Sequence, residues 1–528
     1  MLPVRTLKYV IPLEKDVSNI KIIRIEETDI KGNYMIMPAQ PPMPMQTQFT
    51  SSPFIKDSLF YRTNAFYPQE PFGEIETGFM VGTKVCSFKF FPVRYNPKTQ
   101  KIKLITRIEF EFEYKTDNKD FCFPFRLSEL SQRTLQKNIK SMLNNPDDFN
   151  ARSALPGLKG RSGGSSATGI DYVIITHDSL SAGFQEIADW KTKKGLPSKV
   201  VTTDWIYGNF SGVDGAEKVH AFIKYAFQNW GSIWFLLGGD TEIVPVRSVW
   251  IGPYNSWLKE YRPKGVFMPT DTYYACLDGN WNADGDATFG EGSYDRKNDG
   301  SLKFVNNNAN IDGVDRERDV FVGRIPVKTN RELNNYKMKY FNYAKNPTNA
   351  VTNAFLFYRN IAYSYEMEYV KNTFPSHISV DRAYEDAGGT KLNVLNALNG
   401  TTKKYHILCG YGHGAVHNFD ACDDVISRDE ISNLQNSDNT GIILYNNHCE
   451  TLTWDKDCVG KRFTLGVNGG IVYIGNTHFG WTGDLGIYNK PFIDTLYNHQ
   501  NYSISESFFN ATKGNCANRV NAFNFSTI

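Results

Sequence analysis

The spacing of apolar positions changes character near residue 150. Before it the period is two. RIEFEFEY (107–114) sets Ile108, Phe110, Phe112 and Tyr114 on one face and Glu109, Glu111 and Glu113 on the other, the pattern of a half-buried strand. VCSFKFFPVRY, NPKTQ and KIKLI predict a hairpin turning at Asn96 and Pro97, and Pro-rich stretches such as MPAQPPMPM (37–45) separate strands. Residues 1–150 therefore read as an all-β domain.

ARSALPGLKGRSGGSSATG (151–169) is rich in Gly and Ser, lacks aromatic residues, and carries Arg152, Lys159 and Arg161. It predicts a flexible linker open to proteolysis. Beyond it, short apolar runs alternate with amphipathic stretches. DYVIIT (171–176), KVVTT and IWFLLGG (233–239) read as buried strands. SAGFQEIADWKTKKG and GAEKVHAFIKYAFQNW read as helices, the second with Val219, Phe222, Ile223 and Ala226 on one stripe. A second series follows residue 330: the helix NRELNNYKMKYFNYAK, then strands in AFLFYRNIA, YHILCGY, GIILYNN and GGIVYIGN. This order predicts an α/β fold, a largely parallel sheet flanked by helices, in subdomains 170–350 and 351–528. In such sheets ligands bind at the carboxyl ends of the strands.

Composition narrows the class without choosing a chemistry. Hydrophobic residues make up 41% and charged residues 22% of 528, ordinary values for globular proteins with room for several cores. A net charge of +2 offers no electrostatic footprint for nucleic acid. No apolar run approaches the roughly 20 residues needed for a transmembrane segment. MLPVRTLKYVIPLEKDV lacks the features of a secretory signal, as in an intracellular protein or a chain that begins inside a longer precursor. The eight cysteines form no C-x-x-C pair, which argues against a zinc site of that type or a dense disulfide framework.

Two predicted strand ends carry reactive side chains. YHILCGYGHG delivers His413 between Gly412 and Gly414, and GIILYNNHC delivers Cys449. On adjacent parallel strands the two would meet. A free thiol is only a few per cent ionised near neutral pH, and an imidazole beside it takes the proton and later returns one to a departing amine. The amide N–H groups of Gly414 and Cys449 could then form an oxyanion hole. Singly, such a Cys is commonly a packed thiol and such a His a hydrogen-bonded structural residue. Their matched placement favours a dyad. His417 lies past the turn, and His448, adjoining Cys449 on an extended backbone, should face the other way. A zinc site from His413, His417, His448 and Cys449 is the competing arrangement, without a helical i, i+4 frame to support it.

WFLLGGD…VPVR (234–247), VFVGRIPV (320–327), YGHG (411–414), LYNNHC (444–449) and GIVYIGNTHFGW (470–481) together resemble the gingipain family of cysteine endopeptidases, relatives of the caspases. Residues 1–150 resemble that family's propeptide domain. The resemblance implies a secreted or cell-surface endopeptidase made as a zymogen, with Cys449 as nucleophile, His413 as its partner and the propeptide as intramolecular inhibitor. It also implies that Trp481 lines the substrate pocket, and that an acidic residue, Glu366 or Glu368 in IAYSYEMEYV, selects Arg or Lys. Family members carry a leader and a segment resembling LLGDP; their absence here reads as missing parts of a longer parent. The NNH before Cys449 replaces small apolar residues. Together with the incomplete termini it motivates another reading of the fold, a non-catalytic surface or secretion component; a sortase-like transpeptidase is a third, because transfer and hydrolysis share the first half-reaction.

NWNADGDATFGE (280–291) follows the twelve-residue calcium-loop spacing with Asn280 in place of the first Asp. Asn280, Asn282 and Asp284 supply side-chain oxygens, Asp286 its carbonyl, and Glu291 a chelating carboxylate, while Gly285 permits the turn. Read with its flanks, a strand in DTYYACLDG and an irregular loop, it predicts a calcium-stapled loop; the alternative is an acidic surface loop. No organic cofactor is implied.

Overall fold

The computed structural model of the protein describes residues 2–38, 54, 56–117, 121–153, 155, 169–250, 252, 267–306, 309–315, 317–346, 349–360, 363–437, 441–480, 488–499, 503–512 and 525–527. Lys159, Arg161 and Trp481 lie outside the described residues. The chain forms two units, one of Met1–Pro42, Thr50–Pro124 and Gln132–Gly163, the other of Met43–Phe49, Phe125–Ser131 and Gly164–Ile528.

The first unit is mostly strands: β1 (Arg5–Val10), β2 (Lys15–Ile30), β3 (Phe72–Met80), β4 (Thr83–Phe90), β5 (Val93–Asn96) and β6 (Lys101–Thr116). Residues 1–150 are not all-β, because Glu129–Lys140 is a helix whose Leu135 and Ile139, four positions apart, are buried on one face. They pair antiparallel in the orders β1-β4-β3 and β2-β6-β5. The alternating stretch lies in β6, where Phe110 and Phe112 turn inward to Tyr9 and Phe88. Asn144 and Asn145 tie the end of the unit to β1, their side-chain oxygens accepting from the N–H groups of Lys8 and Val10 at 2.9 Å each. Arg152 closes the short helix Phe149–Arg152, donating to the Val10 carbonyl at 3.2 Å and pairing with Asp148 at 3.4 Å.

The second unit contains two parallel sheets. The first takes β7 (Tyr172–Thr176), β8 (Ser198–Thr202) and β9 (Trp234–Gly238). Two small antiparallel pairs follow, β10 (Arg247–Trp250) with β11 (Phe267–Thr270) and β12 (Tyr294–Arg296) with β13 (Leu302–Phe304). Then β14 (Phe321–Ile325) completes the order β14-β9-β7-β8. Helices Gly215–Trp230 and Asn330–Lys345 have the predicted bounds because both ends are marked. Asp214 caps the first and Gly231 ends it in the left-handed region, while Thr329 and Glu332 form a capping box on the second.

The second sheet comprises β15 (Asn353–Tyr358), β16 (Ser379–Tyr384) and β17 (Ile407–Tyr411). A meander of β18 (Gly414–Ala415), β19 (Asn418–Ala421) and β20 (Asp424–Ser427) precedes β21 (Ile443–Asn447), β22 (Val472–Asn476) and β23 (Phe525–Thr527). The sheet order is β16-β15-β17-β21-β22-β23, parallel except for β23. Alternation divides the side chains between two cores. Leu356, Cys409, Tyr445 and Cys449 face one, and Phe357, Leu408 and Leu444 the other.

Two predicted elements differ. DTYYACLDG is not a strand: Thr272–Ala275 is a helical turn, started where the Thr270 hydroxyl accepts from the Thr272 N–H at 3.1 Å. All four of its residues are buried, so the apolar run carried no period to distinguish turn from strand. AFLFYRNIA keeps strand geometry only to Tyr358, and Asn360 turns in the left-handed region at φ 82°.

Candidate active site

β17 and β21 lie side by side with Tyr411 opposite Asn447. His413 and Cys449 each stand two residues beyond that pair, so strand register alone brings them level at the carboxyl end of the sheet. The backbones touch there: a Cβ on Gly414 would lie 2.9 Å from the Cys449 carbonyl oxygen and 3.2 Å from its nitrogen. Gly414 pairs with Phe419 of β19, and Asp420 N–H donates to the His413 carbonyl at 2.9 Å. Alternation of an antiparallel ladder then turns the Gly414 N–H away from β19.

Cys449 is fully buried; its sulfur accepts from the Gly480 N–H at 3.2 Å, and its S–H donates to the Gly480 carbonyl at 3.6 Å. A backbone donor aimed at sulfur favours the thiolate. Glu450 turns the chain in the left-handed region at φ 55°, its N–H bonded to the His478 carbonyl at 2.7 Å. The bend fixes Cys449 at the strand tip.

The polar NNH is accommodated in part by bonding and by glycine, while Asn446 Oδ1, Asn447 Nδ2 and both His448 ring nitrogens find no hydrogen-bond partner among the described residues. Asn446 donates to the Tyr473 hydroxyl at 2.7 Å, and Asn447 accepts from Asn476 at 2.9 Å. His448 lies on the opposite face from Cys449, its ring against Phe357 and Phe419. Burial pushes its pKa down to about 3, so it stays neutral. A Cβ at Gly412 would meet the His448 ring at 3.2 Å, and one at Gly414 the His448 Cβ at 2.7 Å. His417 is exposed at the hairpin turn. With His448 turned away, the four zinc candidates do not converge.

His413 is half-buried, edge-on to Tyr363 with ring centroids 6.5 Å apart. Its main-chain N–H donates to Asp420 Oδ2 at 2.8 Å, and Arg359 Nη1 donates to Asp420 Oδ1 at 3.1 Å. Burial, with Asp420, Cys449 and Glu366 nearby, pushes the Tyr363 hydroxyl up to about 12. Glu366 and Glu368 lie on the helix Ser364–Lys371. Glu368 is engaged by Arg382 at 2.8 Å and Lys371 at 3.5 Å; against the opposing effect of burial, Arg382, Tyr384 and Lys371 hold its carboxyl below its ordinary value. Glu366 is half-buried on the Tyr363 side. Arg359, Asp420, Gly480 and Tyr363 were not singled out in sequence. Only Asp420 left a trace there, seven residues after His413 in a stretch short enough to be a hairpin.

In the acidic loop, carboxylate oxygens of Asp284, Asp286, Glu291 and Asp295 lie within 4.8 Å of one another. Asp295 lies beyond the twelve-residue frame. Asn280 is exposed, its N–H bonded to the Gly313 carbonyl at 3.2 Å. The Asn282 amide donates to the Asp286 carbonyl at 2.9 Å, so that carbonyl is already engaged and Asp286 faces the cluster with its carboxylate. Glu291 is buried; burial first, then Asp312, Asp286 and Asp284, push its carboxyl up to about 8.

The sequence model of peptidase family C25 matches residues 165–528, and that of the C25 propeptide matches residues 1–141. The chain belongs to peptidase family C25. It is a cysteine peptidase with a propeptide, of the gingipain type. A solved complex of the pro- and mature domains of RgpB from Porphyromonas gingivalis shares the fold of this C25 chain, at 14% identity and a TM-score of 0.50 over 68% of this chain and 78% of that one. A structure described as a protease matches at 15% identity and a TM-score of 0.49, over 68% and 77%. No curated protein matches the chain. Among the described residues no helix is long and apolar enough to cross a membrane.

Proposed function

We propose that the C25 unit is an endopeptidase in which Cys449 is the nucleophile and His413 the acid and base. The level register of the two residues on neighbouring parallel strands carries this reading. His413 takes the thiol proton, the thiolate adds to the scissile carbonyl, and the Gly414 and Cys449 amides receive the oxyanion. The imidazolium then protonates the leaving amine, and water hydrolyses the acyl-enzyme. Gly480 supports the thiolate through its N–H. Iodoacetamide at neutral pH tests this: Cys449 is alkylated in step with loss of peptidase activity, while Cys86, Cys409 and Cys458, whose thiols burial holds in the protonated form with no imidazole level with them among the described residues, react far more slowly. Alkylation of Cys449 without loss of activity counts against it.

Preference for a basic residue before the cut belongs to the same reading, with Glu366, half-buried on the Tyr363 side of its helix, as the acidic partner. The acidic loop holds calcium through Asp284, Asp286, Glu291 and Asp295. The crowded, partly protonated Glu291 supports this, since a divalent cation relieves the repulsion that burial enforces. The propeptide inhibits until the linker is cut. An enzyme that acts outside the cytoplasm belongs to the same reading, by analogy with the family, and recovery of the native protein only from cytosol would contradict that.

A further inference from the structure

A catalytic imidazole that must alternate between neutral and protonated forms needs an anchor that survives both states. In a triad a third residue bonds the ring nitrogen. Here His413 Nδ1 is buried and finds no hydrogen-bond partner among the described residues. The residue is held by its backbone instead.

Asp420 stands directly across the β18–β19 hairpin from His413. Its own N–H donates to the His413 carbonyl at 2.9 Å, and its Oδ2 accepts the His413 N–H at 2.8 Å, closing a ring of two bonds around one residue. Asp420 is 2% exposed, and its other oxygen accepts from Arg359 Nη1 at 3.1 Å. Arg359 follows the end of β15, the strand on the far side of β17 from β21, and its own N–H reaches the Tyr411 carbonyl at 3.4 Å. Gly412 is part of the arrangement: a Cβ there would lie 2.7 Å from Asp420 Cβ and 3.0 Å from Oδ2. Thus one buried carboxylate links three consecutive features of the strand ends, Arg359, the Gly412 gap and His413.

We propose that Asp420 and Arg359 are the positioning pair of this peptidase, fixing the His413 loop through its main chain and presenting a carboxylate to the imidazolium formed when Cys449 gives up its proton. This rests on the His413–Cys449 reading above. The proton moves from Cys449 Sγ to His413 and no further; Asp420 stays ionised, paired with Arg359. The titratable and charged groups facing Asp420 are Arg359 from the end of β15, with Glu385 at 3.8 Å behind it, Tyr363, His413 and the neutral His448. Burial raises the Asp420 carboxyl above its ordinary value, against the pull of His413 and Arg359. An unpaired Asp420 would therefore be a weaker anchor, which gives Arg359 its place.

The test uses the full chain after maturation, with Asp420→Asn, Asp420→Ala, Arg359→Lys and His413→Ala compared on the peptide cleaved fastest in a panel. Asp420→Ala lowers kcat about 100-fold with little change in KM, since misplacement of a reacting group acts on the chemical step. Asp420→Asn, whose amide oxygen still accepts the His413 N–H, recovers part of that loss but shifts the acidic limb of the kcat/KM profile to lower pH, because the imidazolium has lost its counter-charge. Arg359→Lys behaves like a milder Asp420→Asn. Asp420→Asn and Arg359→Lys with wild-type kcat and pH profile, alongside an inactive His413→Ala, overturn the positioning pair alone. Full activity in His413→Ala overturns the dyad and the pair together.

Discussion

At Cys449 opposite demands meet. A nucleophile needs an ionisable thiol, yet this one is fully buried at a strand tip. The Gly480 N–H at 3.2 Å and a level His413 answer the first demand, and the left-handed turn at Glu450 answers the second by holding the tip rigid. Residue scale also separates the two acidic candidates on the helix Ser364–Lys371. Two positions apart on a helix they face different ways, and Glu368 is bound by Arg382 and Lys371. Glu366→Gln should therefore lower kcat/KM for Arg and Lys substrates by about 10- to 100-fold, the worth of one hydrogen bond to a charged group, while Glu368→Gln leaves it nearly unchanged. Equal effects in the two variants, measured on paired basic and neutral peptides, would remove Glu366 from the pocket.

At the scale of elements, the acidic loop carries the clearest pH dependence. Glu291 has a folded-state pKa near 8, above its ordinary 4.5, so without metal the folded state holds a proton that the unfolded chain releases. Stability of the calcium-free protein should then be greatest below about pH 4.5 as far as this group is concerned, and be lost as pH rises toward 8. Calcium bound as proposed would remove the penalty, so the stabilisation expected from it grows across that window. Differential scanning fluorimetry with and without chelator should show a gap of roughly 5 °C at pH 8 in excess calcium, shrinking at pH 5. A gap independent of pH would count against Glu291 as a ligand.

Sequence was informative here where an element carries its own period and its own ends. The helices Gly215–Trp230 and Asn330–Lys345 are amphipathic and capped, and their bounds were readable. Thr272–Ala275 is buried on every side and offers no period, so its turn was not. The His413–Cys449 pairing was legible because both follow apolar runs of the same sheet. The Arg359–Asp420 anchor was not, since it depends on hairpin register and on which strand lies beside β17. Asp295 escaped for a similar reason: it reaches the acidic cluster by the fold of β12, outside any fixed spacing.

For the whole molecule, the propeptide and peptidase matches flank residues 142–164, and within that stretch Arg152 is held in regular structure. Arg152 closes a helix and bonds the Val10 carbonyl within its own unit. A protease needs an extended, accessible bond, which Arg152 at its helix end does not offer; of the three basic residues of 151–169, maturation should therefore use Lys159 or Arg161. Sequencing the mature N-terminus checks this, and a start at Ser153 would contradict it.

The most direct test of the account is the peptidase activity of matured Cys449→Ala beside the wild type, on Arg, Lys, Asp and Asn peptides in calcium. The account predicts a loss of about 10⁴-fold or more on every peptide, with an unchanged melting profile. Turnover retained in Cys449→Ala would contradict it.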